Sequence, residues 1–143
     1  MKTLRGTSII EIVIAAALIS MAIIAALSLT NHSQKQNIYA RGLAEATKYT
    51  TQAADWIRTE RNTLGWATIA SKNEGDYCLN NFPLDFTEII PGSCDASDFI
   101  SGTNFQRQIT LTKTASTVNI KIEVSWLEKI NRQATIEMEL TKW

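Results

Sequence analysis

An apolar segment at residues 7–29 constrains this chain more than any other feature of its sequence. Its length is close to the ~20 apolar residues that cross the hydrocarbon core of a bilayer as one helix. Glu11 is the only ionisable residue inside it, and the preceding residues 1–6 include Lys2 and Arg5. Because basic residues before a spanning helix favour a cytoplasmic N-terminus, the rest of the chain is predicted to lie outside the cytoplasm.

Glu11 requires a partner, because an acidic side chain inside a spanning helix is unfavourable by up to ~3 kcal/mol when central and by less near an end. One partner is local: Ser8 and Glu11 fit a capping box, in which each side chain accepts a hydrogen bond from the other residue's backbone amide. The other partner arises if the chain is cut after Gly6, because the new α-amino group of Thr7 is a cation at the same helix end. Between staggered neighbouring subunits, such a pair at about 4 Å interacts by ~4 kcal/mol at an effective dielectric constant of about 20.

The order Gly6, Thr7, Glu11 and then a long aliphatic helix resembles the processing and methylation site of type IV pilins and pseudopilins. In that family a membrane-bound prepilin peptidase cuts after the glycine and methylates the new terminal amine. The resemblance implies that Gly6 is the last leader residue, that Thr7 is the methylated terminus, and that Glu11 is the acid used in filament assembly.

The chain departs from the usual family pattern at three positions. Thr7 stands where the first mature residue is usually Phe, and Ser20 and Ser28 stand where many major pilins have helix-loosening Gly and Pro. We therefore expect residues 7–29 to remain helical throughout, which favours a minor subunit over the major one.

Two other interpretations of the N-terminal segment remain open. A secretory signal peptide also begins basic and then apolar, but its apolar part is usually about 7–15 residues long and ends at a small-residue cleavage site, for which residues 26–28 are the candidate. The apolar segment here is longer, and Glu11 is unexpected in a segment that is discarded. An ordinary signal anchor fits the length but does not explain Gly6 and Glu11, so the pilin-like interpretation is favoured.

Length and charge exclude several classes of protein. A chain of 143 residues has room for one small domain beside its membrane helix. Lys plus Arg and Asp plus Glu number 14 each, so the balanced charge gives no general attraction to nucleic acid or anionic membranes. A local DNA-contacting patch is the alternative to a solvated surface of mixed charge, and the solvated surface is favoured. The cations available to such a patch are Arg58, Arg61, Lys72, Lys113, Lys121, Lys129 and Arg132.

No sequence motif indicates catalysis or metal binding. The sequence contains no phosphate-binding loop, zinc-binding pattern or nucleophile elbow, and His32 is the only histidine available as a catalytic base. Asp76, Asp95 and Asp98 are not spaced as in an EF-hand loop, and turn chemistry accounts for them. We therefore expect no enzymatic activity, no cofactor and no small-molecule substrate.

Cys78 and Cys94 are the only cysteines, and both lie in the part predicted to be outside the cytoplasm, where disulfides persist. We expect them to pair within the chain. Closing a loop of about fifteen residues stabilises a fold by ~3 kcal/mol in the chain-entropy model. A shared metal site is disfavoured, because the single His32 is far away in sequence.

The helix is predicted to continue beyond the membrane through residues 30–64. Residues 31–37 are polar, which suits emergence into the headgroup region, and no proline occurs before Pro83. After this polar stretch, apolar and small side chains recur every three or four residues and form one face of the helix, which is predicted to pack on a sheet. These residues are Tyr39, Leu43, Ala46, Thr50, Ala53, Ile57 and Leu64. Gly42 weakens this part of the helix and is expected to permit a bend, and Gly65 is expected to end it with a left-handed cap.

The remaining sequence divides into a loop region and a β region. Residues 65–104 contain both cysteines and several Gly and Pro residues between short apolar pieces, which is typical of a loop with brief elements. Residues 105–143 alternate apolar and polar side chains, which predicts a three-strand antiparallel meander with a turn at residues 129–132. The apolar positions are Ile109, Leu111, Val118, Ile120, Ile122, Val124, Trp126, Ala134, Ile136, Met138 and Leu140.

These segments combine into an α+β chain. Its predicted order is a leader at 1–6, a transmembrane and assembly helix at 7–29, an amphipathic helix at 30–64, a disulfide-containing loop region at 65–104 and a β-meander at 105–143. One face of the sheet is expected to lie on the amphipathic helix and the other in water.

The resemblance implies a structural role as a minor subunit of a type IV pilus-like filament. Trp126, followed by a charged turn and a strand near the C-terminus, also resembles minor pilins of the V type and pseudopilins of the I type. The implied partners are prepilin peptidase, other pilin or pseudopilin subunits and the cytoplasmic membrane, followed by a cell-surface pilus or a periplasmic pseudopilus. The alternatives are a pseudopilin of a type II secretion or competence DNA-uptake system, and a membrane-anchored binding head that does not polymerise.

Overall fold

The computed structural model describes residues 9–128 and 130–142. Helix α1 covers Ile9–Leu64, and the chain divides into two compact units, of which the first ends at Ala40 and the second begins at Arg41. The second unit, called the head below, contains the remainder of α1 and an antiparallel sheet. The fold class is the predicted one, α+β with a long N-terminal helix.

Helix α1 ends at Leu64 because Gly65 leaves the helical conformation. Gly65 has a φ angle of 82°, in the left-handed region that favours glycine, and its N–H donates to the Arg61 carbonyl at 3.0 Å. The predicted end of the helix at Gly65 is therefore confirmed, but the ψ angle of 165° places this glycine outside the αL conformation of the predicted left-handed cap. A second helix, α2 at Trp66–Ser71, follows directly, and its 6 residues are too few to reveal a helical period in the sequence.

Four strands form one antiparallel sheet in the order β1-β2-β3-β4. They are β1 at Gly75–Cys78, β2 at Phe105–Lys113, β3 at Thr117–Leu127 and β4 at Asn131–Thr141. The prediction of three strands is corrected to four, because β1 lies in the segment predicted to be loop. Its 4 residues include only one large apolar side chain, Tyr77, which pairs with Ile109 of β2, so the strand is too short to show a period.

The connection between β3 and β4 is shorter than predicted. Leu127 pairs with Asn131, and Trp126 pairs with Arg132, so only residues 128–130 connect the two strands. The predicted turn at 129–132 is therefore wrong at its last two residues. Polar side chains suggested a turn there, but strand pairing uses the main chain and accepts them at the start of an edge strand.

The core of the head lies between α1 and one face of the sheet. Along β3 every second residue from Val118 to Trp126 is buried, which confirms the predicted alternation. On α1 the buried residues recur at helical spacing, and they are Ala46, Thr50, Ala53, Ala54, Ile57 and Glu60. Each large aliphatic side chain removed from water in this layer contributes ~1.5–3 kcal/mol, so the helix and the sheet stabilise each other by packing.

Gly42 allows Trp126 of β3 to approach helix α1 closely. A Cβ atom at Gly42 would lie 2.7 Å from Trp126 Nε1 and 3.2 Å from Glu128 Oε1. Trp126 is only 3% exposed, and its Nε1 donates to Glu128 Oε1 at 3.2 Å, so the indole is held in place from both sides. The glycine therefore has a packing role that its sequence position did not reveal.

Replacing Gly42 by alanine is expected to lower the free energy of unfolding by ~1–3 kcal/mol, because the added methyl group displaces the indole of Trp126. Helix propensity alone predicts the opposite sign, a gain of ~1 kcal/mol. Chemical denaturation of the full chain in detergent measures the difference. In a Trp126→Phe background the same substitution should lower the free energy of unfolding by much less. Equal losses of stability in the two backgrounds would contradict the proposed clash.

Candidate functional site

The first unit carries an apolar surface that nothing in the described chain covers. Within residues 9–29 the large apolar side chains are 54% to 82% exposed. They are Ile9, Ile10, Ile12, Val13, Ile14, Leu18, Ile19, Met21, Ile23, Ile24, Leu27 and Leu29. By length and composition this part of α1 is able to cross a membrane, and its most apolar window has no buried residue.

Glu11 lies in the first turn of α1, where the helix dipole favours a negative charge by ~0.3–1 kcal/mol. Within residues 9–128 and 130–142 its carboxylate has no hydrogen-bond or ion-pair partner. Gly6, Thr7 and Ser8 lie outside the described residues. The two predicted partners of Glu11, the Ser8 amide and a neighbouring subunit's Thr7 amine, therefore stay predictions.

Two hydroxyl side chains in this part of α1 are bonded within the helix. Ser20 Oγ donates to the Ala16 carbonyl at 2.8 Å, and Thr30 Oγ1 donates to the Ala26 carbonyl at 2.9 Å. Such bonds within the helix make hydroxyl groups compatible with an apolar environment. Helix α1 also continues without interruption through Ser20 and Ser28, as the sequence predicts.

In the head, the buried Arg107 organises the segment that connects α1 to β2. Its Nε donates to the Leu79 carbonyl at 2.7 Å, its Nη1 to the Tyr49 carbonyl at 3.2 Å, and its Nη2 to the Asn80 carbonyl at 3.4 Å. The guanidinium carbon lies 4.0 Å from the centroid of the Phe82 ring. Burial lowers the pKa of Arg107 to about 10, so the side chain remains charged at neutral pH.

Asn80 joins the same segment to the sheet and to the disulfide. Its Oδ1 accepts from the Arg107 backbone N–H at 2.7 Å, and its Nδ2 donates to the Asp98 carbonyl at 2.8 Å. The same Nδ2 lies 3.3 Å from Cys78 Sγ and 3.6 Å from Cys94 Sγ. The amide of one buried side chain therefore holds three parts of the chain together.

Sequence reasoning missed Arg107, although a signal for it was present. The alternation of buried residues along β2 runs through Phe105, Arg107, Ile109 and Leu111, which all occupy the inner face. A period-two pattern extended two residues towards the N-terminus places an arginine inside the core. An arginine at that position requires buried acceptors, and the carbonyl groups of the loop region supply them.

The structure contains the predicted disulfide between Cys78 and Cys94, with the two residues separated by 16 positions. Cys78 ends β1, and the Cys94 N–H donates to the Gln108 side chain of β2 at 3.4 Å. The disulfide therefore closes a loop whose two ends both lie beside β2.

Breaking the disulfide is expected to lower the free energy of unfolding by ~3 kcal/mol, because the unfolded chain is no longer constrained. Denaturation of the full chain with and without a reductant measures this loss. The double variant Cys78→Ser/Cys94→Ser is the control, and reductant should leave its stability unchanged. Quantitative thiol labelling of both cysteines in the unreduced, denatured protein would contradict the pairing.

Glu60 of α1 and Lys72, which follows α2, hold the middle of the disulfide loop by side-chain hydrogen bonds. Glu60 is 8% exposed, and its Oε2 accepts from the Phe86 N–H at 2.8 Å. Lys72 Nζ donates to the carbonyls of Thr87 and Ile89 at 2.6 and 3.0 Å. Polar side chains thus hold a segment that has little regular secondary structure of its own.

Several of the charged residues considered for DNA or metal binding have local partners, and Lys129 lies outside the described residues. Arg58 pairs with Asp55 at 3.0 Å, and Lys121 pairs with Glu123 at 2.7 Å. Asp76 Oδ1 accepts from the Thr110 hydroxyl at 2.7 Å. In the described part of the chain, no three His, Cys, Asp or Glu side chains are grouped so as to hold a metal ion.

No protein-family model, no curated protein and no solved structure matches this chain. Two features stand out: the exposed apolar helix at residues 9–29, with Glu11 in its first turn, and a head stabilised by a disulfide and a buried arginine.

Proposed function

We propose that this protein is a structural subunit, of the minor pilin class, of a type IV pilus-like filament. Its residues 7–29 hold it in the cytoplasmic membrane as a single-pass subunit and later pack beside the same helix of other subunits. The N-terminus then lies inside and the head outside the cytoplasm. The protein acts by assembly and performs no catalysis.

The observation that carries this proposal is the exposed apolar surface of residues 9–29, in which Glu11 is the one ionisable side chain. A surface of this size is unfavourable in water and marks a lipid or protein contact. A plain membrane anchor needs the apolar side chains but has no use for an acid in its first turn. An assembling helix has such a use, because a neighbouring subunit can supply a cation.

The cation in this proposal is the α-amino group of Thr7 after a prepilin peptidase removes residues 1–6. Methylation of this amine keeps its charge and adds an apolar group, which suits an end that is buried among helices. Removal of the leader also takes away Lys2 and Arg5, which would otherwise have to enter the apolar interior of the filament.

Intact mass spectrometry tests the proposal on protein purified from membranes and from sheared surface fibres. The expected mass corresponds to a chain that begins at Thr7 and carries one added methyl group, and the same mass is expected from the fibres. A mature terminus at Met1 would contradict processing, and a terminus near Leu29 would indicate a cleaved signal peptide.

Two results would redirect the proposal to its alternatives. A processed protein that is present in membranes and absent from every fibre fraction would indicate a membrane-anchored binding head that does not polymerise. A deletion that abolishes protein secretion or DNA uptake and leaves surface fibres intact would indicate a pseudopilin.

A further inference from the structure

Strand β4 forms an edge of the sheet, and no described strand lies on its outer side, although the Thr141 carbonyl at its end accepts from Arg61 Nη2 at 2.7 Å. Among the described residues β4 pairs with β3 alone, in one continuous register from Leu127 opposite Asn131 to Thr117 opposite Thr141. A strand of 11 residues thus presents a row of main-chain N–H and C=O groups without strand partners.

The two edges of the sheet differ in their protection. The opposite edge, β1, has 4 residues, and the Gly92 segment lies along it through a parallel bridge from Gly92 to Tyr77. Strand β4 has no proline, no lysine and no bulge, three of the devices that prevent edge pairing, and its charged residues are Arg132 on the inner face and Glu137 and Glu139 on the outer face. The open edge is therefore suited to accept another strand.

The inner face of β4 continues the apolar core and leaves it partly uncovered. Ile120 and Ile122 of β3 are at most 1% exposed, but their partners Met138 and Ile136 on β4 are partly exposed, as is Ala134. One more strand beside β4 would cover these side chains from the open edge. Its own inward residues must be apolar to do so.

The outer face of β4 sets the charge of the partner strand. Glu137 and Glu139 stand at consecutive outward positions, and no outward residue of β4 is basic. On the side that is already paired, Lys121 of β3 lies directly opposite Glu137. If a second copy of β4 paired with this edge so that the inner faces of both strands lay on the same side, it would have no cation to place opposite Glu137 or Glu139. This edge therefore does not favour a second copy of β4.

We propose that the free edge of β4 receives an extended segment of another protein as a fifth strand. This segment carries apolar residues at its inward positions and Lys or Arg opposite Glu137 and Glu139. Main-chain hydrogen bonds hold the segment, and the two carboxylates select it. The inference concerns the head alone and is independent of the proposed filament function.

A synthetic peptide with the sequence of β3, residues 117–127, and the change Asn119→Lys serves as the probe. It places lysines opposite Glu137 and Glu139 when it pairs with β4 as β3 does. The control peptide carries Asn119→Glu and Lys121→Glu. Binding of both labelled peptides to the full chain in detergent micelles is measured by fluorescence anisotropy. A photo-crosslinker on each peptide then locates the contact by mass spectrometry.

The parent protein is expected to bind the lysine peptide at least about tenfold more tightly than the glutamate peptide, with crosslinks at residues 131–141. The double variant Glu137→Lys/Glu139→Lys should reverse this preference. The single variant Glu139→Lys, whose neighbour on β3 is Asn119, should weaken the preference even if the double variant folds poorly. Unfolding curves of each variant show whether the head is intact.

Three results would overturn the proposal: no saturable binding of the lysine peptide, equal binding of both peptides, or crosslinks outside β4. A fourth concerns a second copy of the chain as the occupant. If a Thr135→Cys variant treated with an added thiol oxidant in micelles forms disulfide-linked dimers that excess lysine peptide does not prevent, the edge serves self-association and the basic segment is excluded.

Discussion

The variant Glu11→Gln is expected to remain in the membrane with a folded head and to disappear almost completely from fibres. The expectation follows from the proposed pairing of Glu11 with the Thr7 amine of a neighbouring subunit. Removing one partner of a buried ion pair costs ~3–5 kcal/mol, which corresponds to a loss of incorporation of about a hundredfold or more. Glu11 belongs to the first unit of the chain, so the free energy of unfolding of the head should not change.

The matched control for this prediction is Ser8→Ala. If Glu11 were only half of a local capping box, Ser8→Ala and Glu11→Gln would have similar mild effects of ~1 kcal/mol each. Quantitative immunoblots of membranes and of purified fibres separate the two cases, because only the pairing model predicts that Glu11→Gln fails in assembly while Ser8→Ala succeeds. Normal incorporation of Glu11→Gln would show that the acid is a helix cap and has no role between subunits.

Replacement of Arg107 by methionine is expected to lower the free energy of unfolding of the head by ~3 kcal/mol or more. Methionine fills a similar volume but leaves the carbonyls of Leu79 and Asn80 without the donors that Arg107 supplies. A buried acceptor that loses its partner costs ~1–3 kcal/mol, and the contact with the Phe82 ring is lost as well. Chemical denaturation of the full chain in detergent measures the loss.

Two further variants make this result specific to Arg107. Arg107→Lys keeps the charge but loses the planar arrangement of donors, so its stability should lie between those of the parent and of Arg107→Met. Arg58→Met changes an exposed arginine of α1 whose one ion pair is with Asp55, and its effect should be below about 1 kcal/mol. If Arg107→Met lowered the free energy of unfolding as little as Arg58→Met does, Arg107 would not hold the loop region.

Local signals in the sequence were sufficient for most of the secondary structure. The apolar segment and its helical continuation predicted α1, and Gly65 marked its end. The period-two pattern of β2, β3 and β4 predicted which residues face the core, because side chains of a strand alternate regardless of what they contact. The pairing of Cys78 with Cys94 followed from their number and their predicted compartment.

Repeating patterns along the chain were enough to predict one long helix, three of the strands and the faces they bury. The tertiary structure supplied the features that depend on residues distant in sequence. It added β1, whose 4 residues become a strand by pairing with β2. It also showed that Gly42 makes room for Trp126, and that Arg107 is solvated by main-chain carbonyls on α1 and in the loop region. The period of a sequence pattern predicts which face of a helix or strand a residue lies on. The atoms that the residue contacts on that face depend on how the whole chain packs, so no local pattern predicts them.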